Sequence, residues 1–137
     1  MPDLEESAAV AGSRDSQRLF ALRGAISVDE NTEQAILAGT RELVEAIMER
    51  NELAAEQLVS CVFSATTDLN AQFPAVAARD LGLSRVPLLC TQEIEVPGAL
   101  PRVIRVLLHY YAPAGHAPRH VYLRDARSLR ADLEAAQ

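Results

Sequence analysis

Apolar positions along the chain fall into short strand-like runs and one long helical pattern. The run at residues 19–26 is mostly apolar and predicts a buried strand. Between Ile36 and Met48 the apolar residues recur at helical spacing with charged residues between them. We therefore predict a helix of about five turns that ends near Asn51. Asn31, followed three residues later by Gln34, predicts the capping box that starts this helix.

Further apolar runs predict four more strands and a second, shorter helix. The strands are expected at residues 58–65, 85–90, 102–111 and 120–123. The short helix is expected to start at Phe73-Pro74 and to close at Gly82. The order β-α-β-α-β-β-β predicts an α+β (α/β-like) fold, with two main helices on one face of a mixed sheet. Because the other face then lacks a cover, we expect the chain to self-associate.

The two ends of the chain differ in composition from the centre. Residues 1–18 have no apolar period and predict a flexible N-terminal extension. The folded domain is expected at residues 19–133, including a mobile C-terminal segment from about residue 124, and a tail follows at 134–137. No segment approaches the ~20 apolar residues that span a bilayer, and no signal peptide is recognisable. These features predict a cytoplasmic protein without a membrane partner.

The charged residues exclude several kinds of chemistry. The chain of 137 residues carries 13 basic residues, all of them arginine, and a net charge of −6. Without lysine there is no Schiff-base nucleophile and no phosphate-loop lysine, and the acidic balance argues against a nucleic-acid partner. Cys61, Cys90 and the histidines show no zinc-ligand spacing, so we expect neither a disulfide framework nor a metal.

Arginines within apolar strands are the most informative polar residues. Arg105 interrupts the apolar run 103–108, and a lone buried charge costs several kcal/mol unless it has a partner. The residues alone leave open whether Arg105 faces solvent or a cleft in which its guanidinium recognises carboxylates or ether oxygens. Arg23 ends another strand, and Glu93 follows a third, where binding groups often lie. This pattern suits a dianionic small molecule without identifying it.

Several segments in a fixed order add a family resemblance to this interpretation. They are LRGA at 22–25, DENTE at 29–33, FSATTDLNAQFPA at 63–75, VPLLCTQE at 86–93, IRV at 104–106, RHVYL at 119–123 and LRADL at 129–133. Together they resemble the monofunctional chorismate mutases of the trimeric AroH class. The resemblance implies a pseudo-α/β-barrel homotrimer with active sites at subunit interfaces. It also implies the [3,3]-sigmatropic (Claisen) rearrangement of chorismate to prephenate in phenylalanine and tyrosine biosynthesis, without a cofactor.

The resemblance also implies roles for individual residues. Arg105 would be the cation beside the breaking C–O bond, Arg23 would bind a substrate carboxylate, and Glu93 would accept a hydrogen bond from the ring hydroxyl. Tyr122 and Cys90 would complete the catalytic set. The implied substrate-binding residues are Leu89, Thr91, Gln92, Phe73, Ala75, Arg79, Leu129 and Arg130. Family members can carry a lysine where this chain has Val76, which would weaken the attraction of an anion at the rim of the pocket.

Two other functions remain compatible with the residues. A non-catalytic trimeric module could bind a small dicarboxylate through the same arginines. Thiol chemistry at Cys90 would need a histidine within hydrogen-bond reach. Convergence of Arg105, Glu93 and Arg23 on one cleft would favour the enzyme, whereas their dispersal would favour the binding module.

Overall fold

A mixed sheet of five strands forms the centre of the molecule. The computed structural model describes residues 16–130. The strands are β1 (Gln17–Ser27), β2 (Leu58–Ala65), β3 (Leu88–Gln92), β4 (Val103–Pro113) and β5 (Val121–Leu123). Their order in the sheet is β3-β2-β4-β1-β5. The central strand β4 pairs antiparallel with β1 and β2, while β3 and β5 add in parallel at the two edges. The predicted mixed sheet is confirmed.

One long helix and one short helix connect the strands. Helix α1 (Glu33–Arg50) follows β1, and helix α2 (Ala75–Ala78) follows β2. A π-helical turn at Arg79–Leu83 continues α2 and contains Gly82 at φ +94°, a conformation that favours glycine. Short 3₁₀ turns lie at Ala55–Gln57 and Arg124–Ala126, and residues 127–130 are helical. The α-helical part is thus shorter than expected, and the glycine predicted to close it lies within the π-helical turn that follows.

The start of α1 differs from the sequence prediction. Thr32, not Asn31, is the N-cap, because its side chain accepts a hydrogen bond from the backbone N–H of Ala35 at 3.1 Å. The predicted capping box from Asn31 to Gln34 is therefore wrong. Asn31 instead accepts hydrogen bonds from two backbone N–H groups, those of Asn70 and Ala71, each at 3.0 Å. Its amide thus fastens the loop before α2 to the start of α1.

The main hydrophobic core lies between α1 and one face of the sheet. Buried side chains from both layers fill it, including Leu22, Ile36, Leu43 and Phe63. Gly24 allows the helix to approach β1 closely, because a Cβ at this position would lie 2.8 Å from Cδ1 of Ile47. The core therefore fixes which side chains of β1 point away from the helix.

Apolar side chains on the opposite face of the sheet reach solvent in the single chain. Leu89 on β3 is 59% exposed and Leu107 on β4 is 39% exposed. Both belong to the face that carries Val62, since Val62 pairs with each of them in the register. This face agrees with the expectation that two helices leave part of the sheet uncovered.

The ends of the described chain take part in strand pairing and in buried packing. Gln17 and Arg18 pair with Pro113 and Ala112, so the strand begins two residues before the expected boundary of the extension. Ala126, in the segment from about residue 124 for which we predict mobility, is fully buried beside Tyr122. Residues 1–15 and 131–137, with most of the predicted extension and the C-terminal tail, lie outside the described residues. Within residues 16–130, no helix is both long enough and apolar enough to cross a bilayer.

Candidate active site

The register of the sheet brings the predicted arginines to one face. Arg105 on β4 lies between Ala25 of β1 and Ser64 of β2. Tyr122 on β5 pairs with Ala25 from the other side, and Arg23 precedes Ala25 by two residues on the same strand. Because paired residues share a face and alternate residues along a strand do too, all these side chains point away from α1. The short side chains of Ala25 and Ser64 leave space above the middle of the sheet.

A cavity of about 290 Å³ occupies this space. Its lining comprises Arg23, Gly24, Val62, Ser64, Thr91, Arg105, Val106, Leu107 and Tyr122. We call it the arginine cleft. Its volume is near the lower end of the range for small-molecule sites, and its walls combine apolar side chains with a few charged groups, as such sites usually do.

Arg105, which lines the arginine cleft, forms an ion pair with Glu93, which lines a neighbouring cavity together with residues 94–101. Nε of Arg105 lies 3.1 Å from Oε1 of Glu93, and the hydroxyl of Ser64 donates a hydrogen bond to the same carboxylate oxygen. The Nε–H itself is buried and does not reach hydrogen-bonding geometry with any acceptor among the described residues. The Arg105 and Glu93 side chains are 42% and 29% exposed, so the pair contributes little to stability. What it provides is a cation and an anion side by side.

Tyr122 lines the arginine cleft and packs against the start of the C-terminal helical segment. Tyr122 is buried in a small cluster with Ala25, Val103 and Ala126, against which Leu129 packs. Arg130 lies near the same end, since its charge and that of Arg23 both act on His120. Burial is the larger cause, and together with these two charges it lowers the pKa of His120 from its ordinary value.

Some of the predicted site residues lie at a second cavity of about 410 Å³, at the β3 edge of the sheet. Phe73, Cys90 and Gln92 line it, and Phe73 is 66% exposed. We call it the edge cavity. Cys90 pairs with the buried Phe63, so its side chain is on the core side of the sheet and away from Arg105. Thr91 is the residue of the predicted set that borders both cavities.

The remaining predicted residues are dispersed within the single chain. Ala75 is buried in the main core, Arg79 is exposed on the π-helical turn after α2, and Leu89 lies exposed on the cleft face of β3. One chain therefore brings together Arg23, Arg105 and Glu93, the charged residues that are expected to act on the substrate directly. It leaves much of the expected apolar wall elsewhere.

Two side chains at the cleft were not singled out from the sequence. The hydroxyl of Ser64 donates a hydrogen bond to Glu93 and so holds this carboxylate in place. His120 was considered only as a metal ligand, yet its Nδ1 accepts a hydrogen bond from the backbone N–H of Arg23 at 3.0 Å. The sequence places Val62 and Ser64 on one face of a predicted strand. Only the pairing of this strand with β4 shows that the same face carries Arg105.

The arrangement suits the binding of a small dianion. Two guanidinium groups can pair with carboxylates, and Glu93 can accept a hydrogen bond from a hydroxyl group. Among residues 16–130, no group of three or more His, Cys, Asp and Glu side chains could hold a metal ion. None of the described residues lining the edge cavity with Cys90 is a histidine, so the geometry does not support thiol chemistry there.

Comparison with known proteins agrees with this geometry. The family model "Chorismate mutase type I" matches residues 19–133. The chain is 50% identical over 118 residues to a chorismate mutase AroH from Thermus thermophilus, covering 85% of this chain and 97% of the relative. It is 43% identical over 114 residues to the chorismate mutase AroH of Bacillus subtilis (strain 168), covering 82% and 90%.

A solved structure gives the same result for the fold. The chorismate mutase from Clostridium thermocellum superposes with a TM-score of 0.73 at 38% identity, and the match covers 80% of this chain and 98% of that one. Because the match covers nearly the whole of that structure, the two chains share their overall fold. Since the family model spans far more than half of the sequence, the chain belongs to the chorismate mutase type I family.

Proposed function

We propose that this chain rearranges chorismate to prephenate in the arginine cleft. The observation that carries the proposal is the position of Arg105, at the centre of the sheet beside Glu93 and on the same cleft as Arg23. The family match and the named relatives support the same reaction. The enzyme is accordingly an isomerase that serves aromatic amino-acid biosynthesis, and we infer that it works in the cytoplasm.

The reaction requires electrostatic stabilisation of its transition state rather than proton transfer. The ether C–O bond breaks while a C–C bond forms in one cyclic step, and no proton is gained or lost. Partial negative charge gathers on the ether oxygen as its bond lengthens. A cation fixed beside that oxygen binds the transition state more tightly than the ground state, which is what raises the rate. We assign this role to Arg105.

Arg23 and Glu93 have complementary roles. Arg23 binds a substrate carboxylate through its planar fork of N–H donors. Glu93 accepts a hydrogen bond from the ring hydroxyl and stabilises the positive character that develops on the ring. The hydrogen bond from Ser64 supports this role, because it fixes the carboxylate without occupying all of its acceptor sites.

Tyr122 and Leu129 contribute by shape. Chorismate must adopt a diaxial conformer to react, and a wall that accepts only this conformer removes part of the entropic barrier. The packing of Leu129 against the cluster around Tyr122 supports such a wall at one end of the cleft. Arg130 and Arg79 would attract the dianion towards the opening.

We further propose that the working enzyme is a homotrimer whose sites each combine residues of two subunits. The separation of the predicted residues supports this arrangement, since Phe73 and Cys90 lie at the edge cavity while Arg23 and Arg105 line the arginine cleft. The exposed apolar side chains on the cleft face also need a cover. In the trimer, the edge cavity of one subunit would complete the arginine cleft of the next.

Mixed trimers test this arrangement. The Arg105→Ala and Phe73→Glu variants, each expected to have little activity, are unfolded together and refolded as a mixture. A site made from two subunits regains both native residues in about one quarter of random pairings, so about a quarter of the wild-type activity should return. A mixture that stays inactive would contradict shared sites while leaving the reaction itself unaffected.

The matched control mixes two variants of the same cleft. Arg105→Ala and Arg23→Ala remove residues that lie on one chain, so no pairing restores both and no activity should return. Recovery in this control would show that the cleft is not built from a single chain. Sedimentation measurements on each variant establish that it still forms trimers.

A direct assay tests the reaction. Purified protein incubated with chorismate should abolish the ultraviolet absorbance of chorismate, and mass spectrometry of the product should give prephenate. Release of pyruvate would indicate a lyase. Binding of chorismate without turnover would indicate the non-catalytic binding module.

A further inference from the structure

His120 accepts a hydrogen bond from the backbone of an arginine in the cleft. The N–H of Arg23 donates to Nδ1 of His120 at 3.0 Å. His120 stands one residue before β5, whose parallel pairing with β1 starts at Gly24 and Val121. The ring nitrogen thus accepts a hydrogen bond from the N–H of Arg23, one residue before the backbone pairing of β1 with β5 begins. This bond joins β1 to the chain segment leading into β5 at the point where the Arg23 side chain leaves the sheet.

The segment that carries His120 is held firmly by α1. Asn51, a buried residue at the end of α1, donates from Nδ2 to the carbonyl oxygen of Arg119 at 3.0 Å. Its Oδ1 accepts from the N–H of Arg119 at 2.8 Å. Both backbone groups of the residue before His120 are therefore fixed to the end of the helix. The backbone next to the imidazole is therefore held in place, and the imidazole itself is bonded to the N–H of Arg23.

The hydrogen bond requires a neutral ring. Nδ1 can accept only when it carries no proton, so the proton of the neutral imidazole must be on Nε2. The charged groups that face the ring are Arg23 from β1 and Arg130 from the C-terminal helical segment, and both oppose a further positive charge. A protonated ring would also turn an N–H towards the N–H of Arg23, which destroys the bond.

We propose that neutral His120 is a positioning residue for Arg23, and that protonation of its ring releases the backbone from which the Arg23 guanidinium reaches the substrate. The inference rests on the proposed role of Arg23 in binding a substrate carboxylate. It predicts that loss of the acceptor weakens substrate binding more than it slows the chemical step, because Arg105 lies on β4, whose pairing with β1 and β2 does not include this bond.

Two substitutions that differ in acceptor position test the proposal. His120→Asn keeps an acceptor, Oδ1, at the same branch point as Nδ1, whereas His120→Gln moves it one bond further along the side chain. At pH 7.5 the Asn variant should keep KM for chorismate within about twofold of wild type. The Gln variant should raise KM about fivefold, the loss expected for one net hydrogen bond, with a smaller change in kcat. Equal KM values in both variants would overturn the proposal.

The pH dependence of KM provides a readout that a purely structural role would not affect. In the wild type, KM should rise as the pH falls through the pKa of His120, while the carboxylates of chorismate stay ionised. His120→Asn cannot titrate and should lose this rise. The matched control is His116→Asn, which removes a histidine bonded to Tyr110 and should keep it. Retention of the full rise in His120→Asn would overturn the proposal.

Two further measurements separate the possible failures. If Arg23→Ala leaves KM unchanged, the role of Arg23 itself is wrong and the inference fails with it. If Arg23→Ala raises KM and His120→Gln does not, the role of Arg23 stands and only the inference is overturned. Long-range ¹H–¹⁵N correlation spectra of the wild-type protein do not depend on any variant folding. They should show the Nε2–H tautomer for His120, and the Nδ1–H tautomer would overturn the proposal.

Discussion

Arg105 stands between two short side chains, those of Ala25 and Ser64, on the neighbouring strands. Replacing it with alanine should lower kcat by about 10²–10³-fold, because the developing charge on the ether oxygen then loses its cation. Tm should hardly change, since the partly exposed pair with Glu93 contributes about 0–1 kcal/mol. Arg105→Lys should recover only part of the rate because lysine lacks the planar fork. Steady-state kinetics and thermal denaturation measure both effects, and normal turnover in the alanine variant would contradict the assignment.

The two cysteines should differ sharply in reactivity. Burial, with a smaller contribution from Cys90, raises the pKa of Cys61 to about 12, so its thiolate is scarce at pH 8. In Cys90→Ser, a thiol reagent should therefore modify the remaining cysteine only after the protein unfolds. The same variant should keep much of its kcat, because the Cys90 side chain packs on the core side of β3. Loss of turnover in a normally folded Cys90→Ser protein would require a direct role for the thiol.

The sequence pointed to the charged residues of the proposed site but not to the face of the sheet on which they lie. An arginine in an apolar strand can point to either face, and only the position of α1 decides which face remains open. The family resemblance removed this ambiguity for Arg105 and Arg23. It did not reveal Ser64 or His120, whose roles depend on partners 29 and 97 residues away in the chain. Long-range polar contacts of this kind have no local signature.

At the level of elements, the cap of α1 offers a clear test. Thr32→Ala removes the side-chain acceptor for the N–H of Ala35 and should cost about 1 kcal/mol of the free energy of unfolding. Thr32→Ser keeps the hydroxyl and should restore most of it. Urea denaturation measures the change. Gln34→Ala is the control, because a loss there as large as in Thr32→Ala would favour the capping box that the sequence suggested.

The hydrogen bonds of Asn31 explain why the sequence predicts the wrong N-cap for α1. Asparagine is as good a cap as threonine by local preference, so the choice between adjacent positions cannot be made from the sequence. The Asn31 side chain accepts hydrogen bonds from the backbone N–H groups of Asn70 and Ala71, and the next residue in the chain caps the helix instead. Apolar periodicity, in contrast, located all five strands and α1, because each buries a continuous stripe against the same core. Periodicity does not predict the order of the strands in the sheet, because the central position belongs to β4, the fourth of the five strands along the chain.

At the level of the whole molecule, two truncations locate the start of the fold. Deleting residues 1–15 should leave Tm and kcat unchanged, because these residues have no apolar period. Deleting residues 1–18 should lower Tm by a few degrees, since it removes the pairing of Gln17 and Arg18 with Pro113 and Ala112. Thermal denaturation compares the two. Equal Tm values would place the start of the fold after Arg18, and a fall in kcat with the shorter truncation would give the extension a role in catalysis.

The stability of the molecule should depend on the charge of His120. Its pKa in the folded protein is lowered from 6.5, mainly by burial and further by Arg23 and Arg130. The unfolded chain therefore binds the proton more readily, so this contribution to stability is present above pH 6.5 and is lost as the pH falls through the lowered pKa. Urea midpoints should drop less steeply below pH 6.5 in His120→Asn than in the wild type. A parallel drop in both proteins would contradict this sign.

The two faces of the sheet have different roles, and this difference affects which properties of the protein mutations can change. Positions that point towards α1 fill the main core, while positions on the opposite face of the sheet, such as Val62 and Ser64, line the arginine cleft. A library randomised at the second set should yield folded proteins with altered ligand preference, and one randomised at the first should alter thermal resistance with the same preference. Selection can thus change thermal resistance and ligand preference almost independently.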